Sequence, residues 1–486
     1  VLDAYLDRKL YRTKSDGRVV ILSGSGATLR LTDPLSGKQV SGLKKTDVKK
    51  LRLNNRVRRA IRAALGGLTL MSKDPLKRIA AAKSAFKAST AEQIDVLKKA
   101  VARENNPDVK TKFQKALAAA ELAHGATPDL RIKAAQSLAQ FADRDVMARL
   151  RGLLAQDKNG KFREPDAKIR AAAQNALSAI EEKIVIWDFF GKLFQGVSYA
   201  SVLLLAAIGL AITFGVMGVI NMAHGEMVML GAYTTYVIQE VFRAYWPGAF
   251  DWSLAAALPA AFLVAGAFGV AIERGIIRFL YGRALETLLA TWGLSLILQQ
   301  LVRTVFGPTN KEVGNPTWMT GAIELPGGAL LTHNRIWIIV LSVLVVALLA
   351  VILKKTSFGL RMRAVTQNRR MASAMGIRTG WVDAMTFGLG SGIAGIAGVA
   401  LSQIDNVSPN LGQAYIVDSF MVVVFGGVGN LLGTLFGAVT LGLANKFLEA
   451  WSGAVLAKIL VLIAVILFIQ KRPRGLFALK GRAASS

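Results

Sequence analysis

From Ile184 onward the chain is a succession of long apolar stretches separated by short polar gaps; before that point it is not. The apolar runs lie at roughly 193–219, 221–242, 253–281, 285–303, 335–353, 380–402, 414–428, 431–449 and 454–470. Most reach the ~20 residues that an α-helix needs to cross the hydrocarbon of a bilayer. The run at 414–428 is shorter and reads as a candidate re-entrant segment. The stretch IVIWDFFGKLF (Ile184 to Phe194) sets Trp187, Phe189 and Phe190 where a helix enters the membrane interface. Residues 184–486 are therefore expected to form an all-α membrane domain of about 8–9 transmembrane helices.

Residues 1–183 have a different pattern. The stretch from about 10 to 45 reads as a small β segment. RVVIL (Arg18 to Leu22) and ATLRLTD (Ala27 to Asp33) are β-rich, and Asp16-Gly17 and the Ser-Gly-Ser-Gly run at 23–26 supply turn chemistry. From about residue 47 the periodicity turns helical and Ala, Leu, Lys and Arg dominate. Four segments repeat a pattern: DPLKRIAAAKSAF from Asp74, NPDVKTKFQKALAAAEL from Asn106, TPDLRIKAAQSLAQF from Thr127 and EPDAKIRAAAQNALSAI from Glu164. Each opens on a polar residue, then a proline in the first helical turn, where a missing N–H costs nothing. Small apolar faces repeating in this way suggest stacked helix pairs and resemble HEAT-type repeats with irregular spacing. The expectation is a soluble, mostly α N-terminal domain over 1–183 and a membrane domain over 184–486.

Charge adds orientation. The formal net charge of the 486 residues is +29, and the front part carries roughly twice as many basic as acidic residues. Aromatics are scarce among those basic residues, so no stacking platform for nucleic acid is present; the bland alternative is a solvated scaffold that docks a partner or lies near anionic lipid. The gap at 354–378 holds Lys354, Lys355, Arg361, Arg363, Arg369, Arg370 and Arg378 with no acid, and the tail after Gln470 is also basic through Lys471, Arg472, Arg474, Lys480 and Arg482. Both belong on the cytoplasmic side, as does the gap near Arg274, Arg278 and Arg283. Counting back through about nine crossings puts the N-terminal domain outside, with one miscounted span reversing that result. The chain opens on Val1 without an apolar leader, as expected of a processed chain or of one whose start is missing.

The candidate chemistry is sparse. There are no cysteines and three histidines, and no Gly-x-x-x-x-Gly-Lys-Ser/Thr pattern occurs, so the chain carries no phosphate-cradling loop of that kind and is not expected to be an enzyme. No cofactor and no metal are expected; the His-x-Glu pair at 224–226 offers too few ligands. What stands out is GVMGVINMAHGEMVMLGAY (Gly215 to Tyr233), an apolar run that nevertheless contains Asn221, His224 and Glu226. Such groups are costly in hydrocarbon unless paired, hydrated or useful, so they are candidates for a polar translocation path. In a regular helix Asn221 and His224 share a face while Glu226 points about 200° away from His224. Gly218 and Gly225 are candidates for breaking that helix and freeing backbone groups for the path. The competing reading is structural: Asn and His capping two half-helices, with Glu226 paired.

Two further patterns carry weight. FGLRMRAVTQNRRMASAMGIR (Phe358 to Arg378) contains a short basic amphipathic segment, predicted as about three helical turns from Thr366 to Ile377. Thr366, Gln367, Asn368, Arg369, Arg370, Met371, Ala372, Ser373, Ala374, Met375 and Gly376 make a candidate peg for a cytosolic partner, with lipid-headgroup anchoring as the alternative. Glycines recur at helical spacing at Gly388, Gly392, Gly395 and Gly398, and again at Gly429, Gly433 and Gly437, where close helix packing is the expected role.

GVMGVINMAHGEMVMLGAY, the Arg370 to Gly376 segment and FMVVVFGGVGNLLGTLFGAV (Phe420 to Val439), in this order, resemble the permease subunit of branched-chain amino acid type ABC importers over about 190–480. DAMTFGLGSGIAGIAGVAL (Asp383 to Leu401), YIVDSF (Tyr415 to Phe420) and the repeat-rich extension are similar to the urea transporter branch of that family. The resemblance implies a pore shared with a paralogous permease, two cytosolic ABC ATPases, a periplasmic substrate-binding protein and an inner-membrane location. The segment at 366–377 would be the coupling segment that docks in the ATPase, although Arg370 stands where a leading Glu is usual. The function so implied is ATP-driven import of urea or short amides. The alternatives are a branched-chain amino acid importer and, in a different class, a membrane scaffold or sensor without transport.

Overall fold

A computed structural model describes residues 5, 9–14, 16–23, 30–34, 40, 47–51, 69–157 and 159–477. Two compact units emerge, Val1–Val185 and Ile186–Ser486.

The first unit begins with four short strands, β1 (Leu10–Thr13), β2 (Val19–Ser23), β3 (Arg30–Thr32) and β4 (Val48–Lys50), in the order β3-β2-β1-β4. All neighbours are antiparallel, with Tyr11 opposite Val20 on one side and Lys50 on the other. Val20, Leu31 and Val48 are buried together on one face. β1 and β4 are absent from the sequence reading because runs as short as LYRT and VKK carry no alternation to detect. Of the turn expected over 23–26, Ser23 ends β2 and residues 24–26 lie outside the described residues, as does the start of the helical pattern over 52–68.

Helices α1 (Pro75–Ala88), α2 (Gln93–Arg103), α3 (Pro107–His124), α4 (Pro128–Leu138) and α5 (Arg144–Leu154) follow. Three start as the repeated pattern predicts. Asp74 accepts from the Leu76 N–H, Asn106 from those of Asp108 and Val109, and Thr127 from that of Leu130, each with proline at the first position. These caps satisfy donors that have no partner inside the helix. The fourth start differs: Asp166, not Glu164, accepts from Lys168 and Ile169, and the helix opens at Ala167. Glu164 is engaged elsewhere, in a two-pronged ion pair with Arg131. Arg78 pairs likewise with Glu104 at 2.7 and 3.0 Å, and Lys115 with Asp143. Each basic residue thus ties one helix to the segment that starts the helix two places later. α3 lies at the centre, with Val109, Phe113, Ala116, Ala119, Ala120 and Leu122 buried.

The second unit contains the remainder of α6 (Ala167–Met217), then α7 (His224–Tyr245), α8 (Ser253–Gly275) and α9 (Ala284–Phe306). A two-stranded hairpin, β5 (Ala322–Glu324) and β6 (Leu330–Thr332), leads into α10 (His333–Lys355). Two short helices, α11 (Ser357–Gln367) and α12 (Arg369–Ala374), precede α13 (Thr379–Ser402), α14 (Leu411–Gly426), α15 (Leu431–Ser452) and α16 (Ala454–Lys471). Among the described residues seven helices are long and apolar enough to cross a membrane: α6, α8, α9, α10, α13, α15 and α16. α14 has 16 residues, and α7 has 22 but carries Glu226, Gln239, Glu240 and Arg243.

α13 is the centre of this unit and is buried along most of its length. It can be central because its surface is small. A Cβ on Gly392 would lie 2.6 Å from the Phe262 ring of α8, one on Gly395 would lie 2.5 Å from the Ala261 carbonyl, and one on Gly398 would strike the Val228 carbonyl of α7. Gly388 faces Val270 and Gly266 of α8. In hydrocarbon, helices gain little by burying apolar side chains against each other, so close backbone approach supplies the packing. Gly433 and Gly437 of α15 serve the same purpose against Gly426 and Val422 of α14. Gly429 does not belong to a helical stripe: it turns the chain between α14 and α15 at φ 79°, and α6 approaches it through Gly215.

Candidate functional site

Glycine 218 ends α6 with a φ of 67°, a conformation that a side chain resists, and its N–H bonds to the Phe214 carbonyl. The chain then runs irregularly until α7 opens at His224. It does not continue outward from the end of α6. The His224 Nε2 lies 2.9 Å from the carbonyl of Ala206, which precedes Met217 by about eleven residues, or roughly 16 Å of helix. The link between the two helices therefore climbs back along α6, and α7 starts beside the last quarter of α6, about three turns before its end. Six irregular residues reach that far when extended.

Every polar residue in this link has a definite contact. Asn221 lies ahead of the helix, where its Oδ1 accepts from the Ala223 N–H at 3.0 Å. The Met222 N–H donates to Thr291 Oγ1 of α9 at 3.1 Å. Irregular backbone at membrane depth needs its polar groups satisfied within the protein, and these two bonds satisfy the N–H groups of Met222 and Ala223. Since the Ala206 carbonyl can only accept, Nε2 of His224 carries the hydrogen. Glu226 faces a different way. Its Oε1 accepts from Ser295 Oγ and Gln299 Nε2 of α9, both at 2.8 Å, and it lies in the first turn of α7, where the helix dipole favours an anion.

All three side chains are about 1% exposed, and each keeps one polar atom without a hydrogen-bond partner: Asn221 Nδ2, His224 Nδ1 and Glu226 Oε2. The structure thus separates the stretch as sequence geometry suggests for His224 and Glu226, but not for Asn221, which shares no helical face with His224 because it lies outside the helix. Gly225 is no break. It sits inside the first turn of α7, where a Cβ would come within 2.5 Å of the Gly412 carbonyl of α14. The sequence reading missed the receiving side. Thr287, Thr291, Ser295 and Gln299 repeat every fourth residue along α9 and are all buried, a polar stripe that the spacing does contain.

The basic segment is the second candidate region. It is not one helix from Thr366 to Ile377 but two, parted at Asn368 (φ −152°). The Asn368 side chain accepts from the Met371 N–H and starts α12, so it acts as a cap where a continuous helix was expected. Gly376 closes the segment at φ 84°. Met371 and Met375 are 60% and 77% exposed, with Gln367, Arg370, Ser373 and Ala374 exposed beside them; Ala372 is buried, and Thr366 and Ile377 are half-buried. Arg369 turns inward to an ion pair with Asp383 of α13. The outcome is an exposed apolar and basic knob, joined to α13 through Arg369 and Asp383.

Comparison with known proteins gives a consistent result. Residues 192–470 match the family described as "Branched-chain amino acid transport system / permease component". The chain is 30% identical to the high-affinity branched-chain amino acid transport system permease protein LivH of Salmonella typhimurium over 296 residues, 59% of this chain and 95% of that protein. It is 29% identical to the corresponding protein BraD of Pseudomonas aeruginosa over 297 residues, 60% of this chain and 96% of that protein. It is 33% identical to the ribose import permease protein RbsC of Bacillus subtilis over 141 residues, 26% of this chain and 44% of that protein. No solved structure matches.

Proposed function

Because the chain belongs to the branched-chain amino acid transport permease family, we propose that it is the pore-forming subunit of an ATP-driven importer for urea or short amides. The partners in this reading are a paralogous permease, two cytosolic ABC ATPases and a periplasmic binding protein. The chain itself supplies the path and the docking knob, and hydrolysis belongs to the partners.

One observation carries the urea branch over the amino acid branch. The LivH relative is covered over 95% of its length by 59% of this chain, so the N-terminal unit has no counterpart there. A soluble extension of that kind, together with YIVDSF and the Asp383 to Leu401 stretch, is what the urea branch resembles. The relatives' printed substrates favour the second reading, a branched-chain amino acid importer.

For the path we assign the start of α7. Asn221, His224 and Glu226 shape it, Gly218 makes the turn into it, and Gly225 lets α14 approach. The support is a helix that begins about three turns back along its neighbour after an irregular link, a form that suits small polar cargo. For the coupling contact we assign the knob of α12 with Met371 and Met375. We put the N-terminal unit on the periplasmic side: the basic segment is cytoplasmic by its charge, and α6 to α10, with α7 counted as a crossing, make five passes before it.

The test is uptake of labelled urea and labelled leucine in cells lacking their own carriers, with the partner subunits present and this chain present or absent. Urea uptake that requires both this chain and ATP is the expected result. Leucine uptake instead moves the protein to the second reading. Neither, with an assembled complex, returns it to a membrane scaffold.

A further inference from the structure

The coupling knob is joined to the membrane helices in two ways. One is covalent, through α11 to α10. The other is electrostatic and leads elsewhere. Arg369, the first residue of α12, forms a two-pronged pair with Asp383, with Nη1 3.3 Å from Oδ1 and Nη2 against Oδ2. Asp383 lies in the first turns of α13 and is fully buried. The same guanidinium sits 4.7 Å from the ring centroid of Tyr281, in the link between α8 and α9. The Tyr281 hydroxyl donates to Glu273 Oε1 at 2.8 Å. Glu273 is in the last turn of α8, 1% exposed, with Arg274 Nε 3.7 Å from its other oxygen. One cation on the knob thus holds α13 directly and α8 through a tyrosine.

We propose that Arg369, Asp383, Tyr281 and Glu273 form a latch that passes movement of the docking knob into α13 and α8, and so to the buried start of α7. This rests on the importer reading above and names the residues that would couple its ATPases to its path. The geometry beyond the latch makes the transfer stiff. α8 and α13 touch backbone to backbone at Ala261 and Gly395 and at Gly266 and Gly388. α13 touches α7 in the same way at Gly398 and Val228 and at Gly395 and Gly231. Close-packed small-residue contacts leave no side chain to yield, so displacement at one end is carried along the helices. Arg fits the latch position because its planar fork grips a carboxylate through two bonds while its face covers an aromatic ring; a lysine offers a single point charge. Arg369 is a positioning residue here, acting through α13 and α8.

The experiment measures, in the assembled importer reconstituted in vesicles, substrate taken up per ATP hydrolysed. The variants are Arg369→Ala, Arg369→Lys and Arg369→Ala with Asp383→Ala; the double change removes the buried charge that the single one would strand. The expected result is that both alanine variants still assemble and hydrolyse ATP, but that uptake per ATP falls about tenfold, with Arg369→Lys between them and the wild type. A merely structural pair would lower assembly and leave the ratio unchanged. An assembled double variant with a wild-type ratio overturns the latch, and so does one that no longer binds the ATPases, since the pair would then serve docking. A wild-type complex with no ATP-dependent uptake overturns the importer reading and the latch with it, whereas normal wild-type uptake that the variants leave intact overturns the latch alone.

Discussion

At the scale of single residues, the membrane unit contains polar groups whose removal and retention have different costs. Glu226, itself buried, gathers two donors on one oxygen, Ser295 and Gln299. Glu226→Ala strands both donors and should cost about 1–3 kcal/mol, the typical penalty for a buried group left without its partner. Glu226→Gln keeps an accepting oxygen in the same place and should cost less. Thermal unfolding of the purified protein in detergent ranks the two; equal midpoints would show that the donors find other partners. Glycine positions give a sharper contrast. Gly395 faces the Ala261 carbonyl and the Ala265 methyl group, where a Cβ would sit at 2.5 and 2.8 Å. Gly395→Leu overfills a contact made of backbone, for which about 1–3 kcal/mol is a lower expectation. Gly293, with nothing near its Cβ, is the control: Gly293→Ala should leave the midpoint unchanged or raise it slightly.

At the scale of elements, the division between α11 and α12 is the feature that matters most. The sequence from Thr366 to Ile377 has helical periodicity throughout, so periodicity alone predicts one helix. The break is decided locally by Asn368, whose side chain competes for the Met371 N–H and ends one helix while starting the next. Asn368→Ala removes that competition and about 1 kcal/mol of capping. The expected result is a straighter segment with Met371 and Met375 turned from their present direction, and weaker capture of the ATPase subunits by the detergent-solubilised protein; unchanged capture would place the contact elsewhere. The same reasoning explains what else could be read in advance. Proline one residue after Asp74, Asn106 and Thr127 announced three helix starts because cap and proline act within one turn. Glu164 misled because its carboxylate is claimed by Arg131, a partner 33 residues away. The polar stretch near His224 was visible as an anomaly, but not its geometry: the return of α7 along α6 depends on Ala206, Thr291 and Gly412, none of which is marked by type or spacing as a partner.

At the scale of the whole molecule, the chain joins two bodies that hold themselves together by different physics. The N-terminal unit buries alanine-rich faces and, with the Arg78–Glu104, Lys115–Asp143 and Arg131–Glu164 pairs, ties a helix to the start of the one two places later. The membrane unit relies on glycine contacts and a few buried hydrogen bonds. Each has its own core, and the matched stretch covers LivH and BraD over 95% and 96% of their length. The transport machinery should therefore be separable. A chain beginning near Ile184 behind a membrane-targeting leader is expected to insert, assemble with its partners and retain ATP-dependent uptake, because Arg369, Asp383 and the start of α7 all lie within the part that remains. Removing the first unit should instead change how uptake depends on the concentration of the binding protein, if that unit helps receive it at the periplasmic face. Uptake measured across a range of binding-protein concentrations separates these outcomes. A truncated chain with full uptake at saturation and a raised half-saturation point assigns reception to the N-terminal unit; an unchanged curve removes it from the transport cycle; and loss of uptake at every concentration, from a chain shown to be inserted, makes it part of the pore assembly.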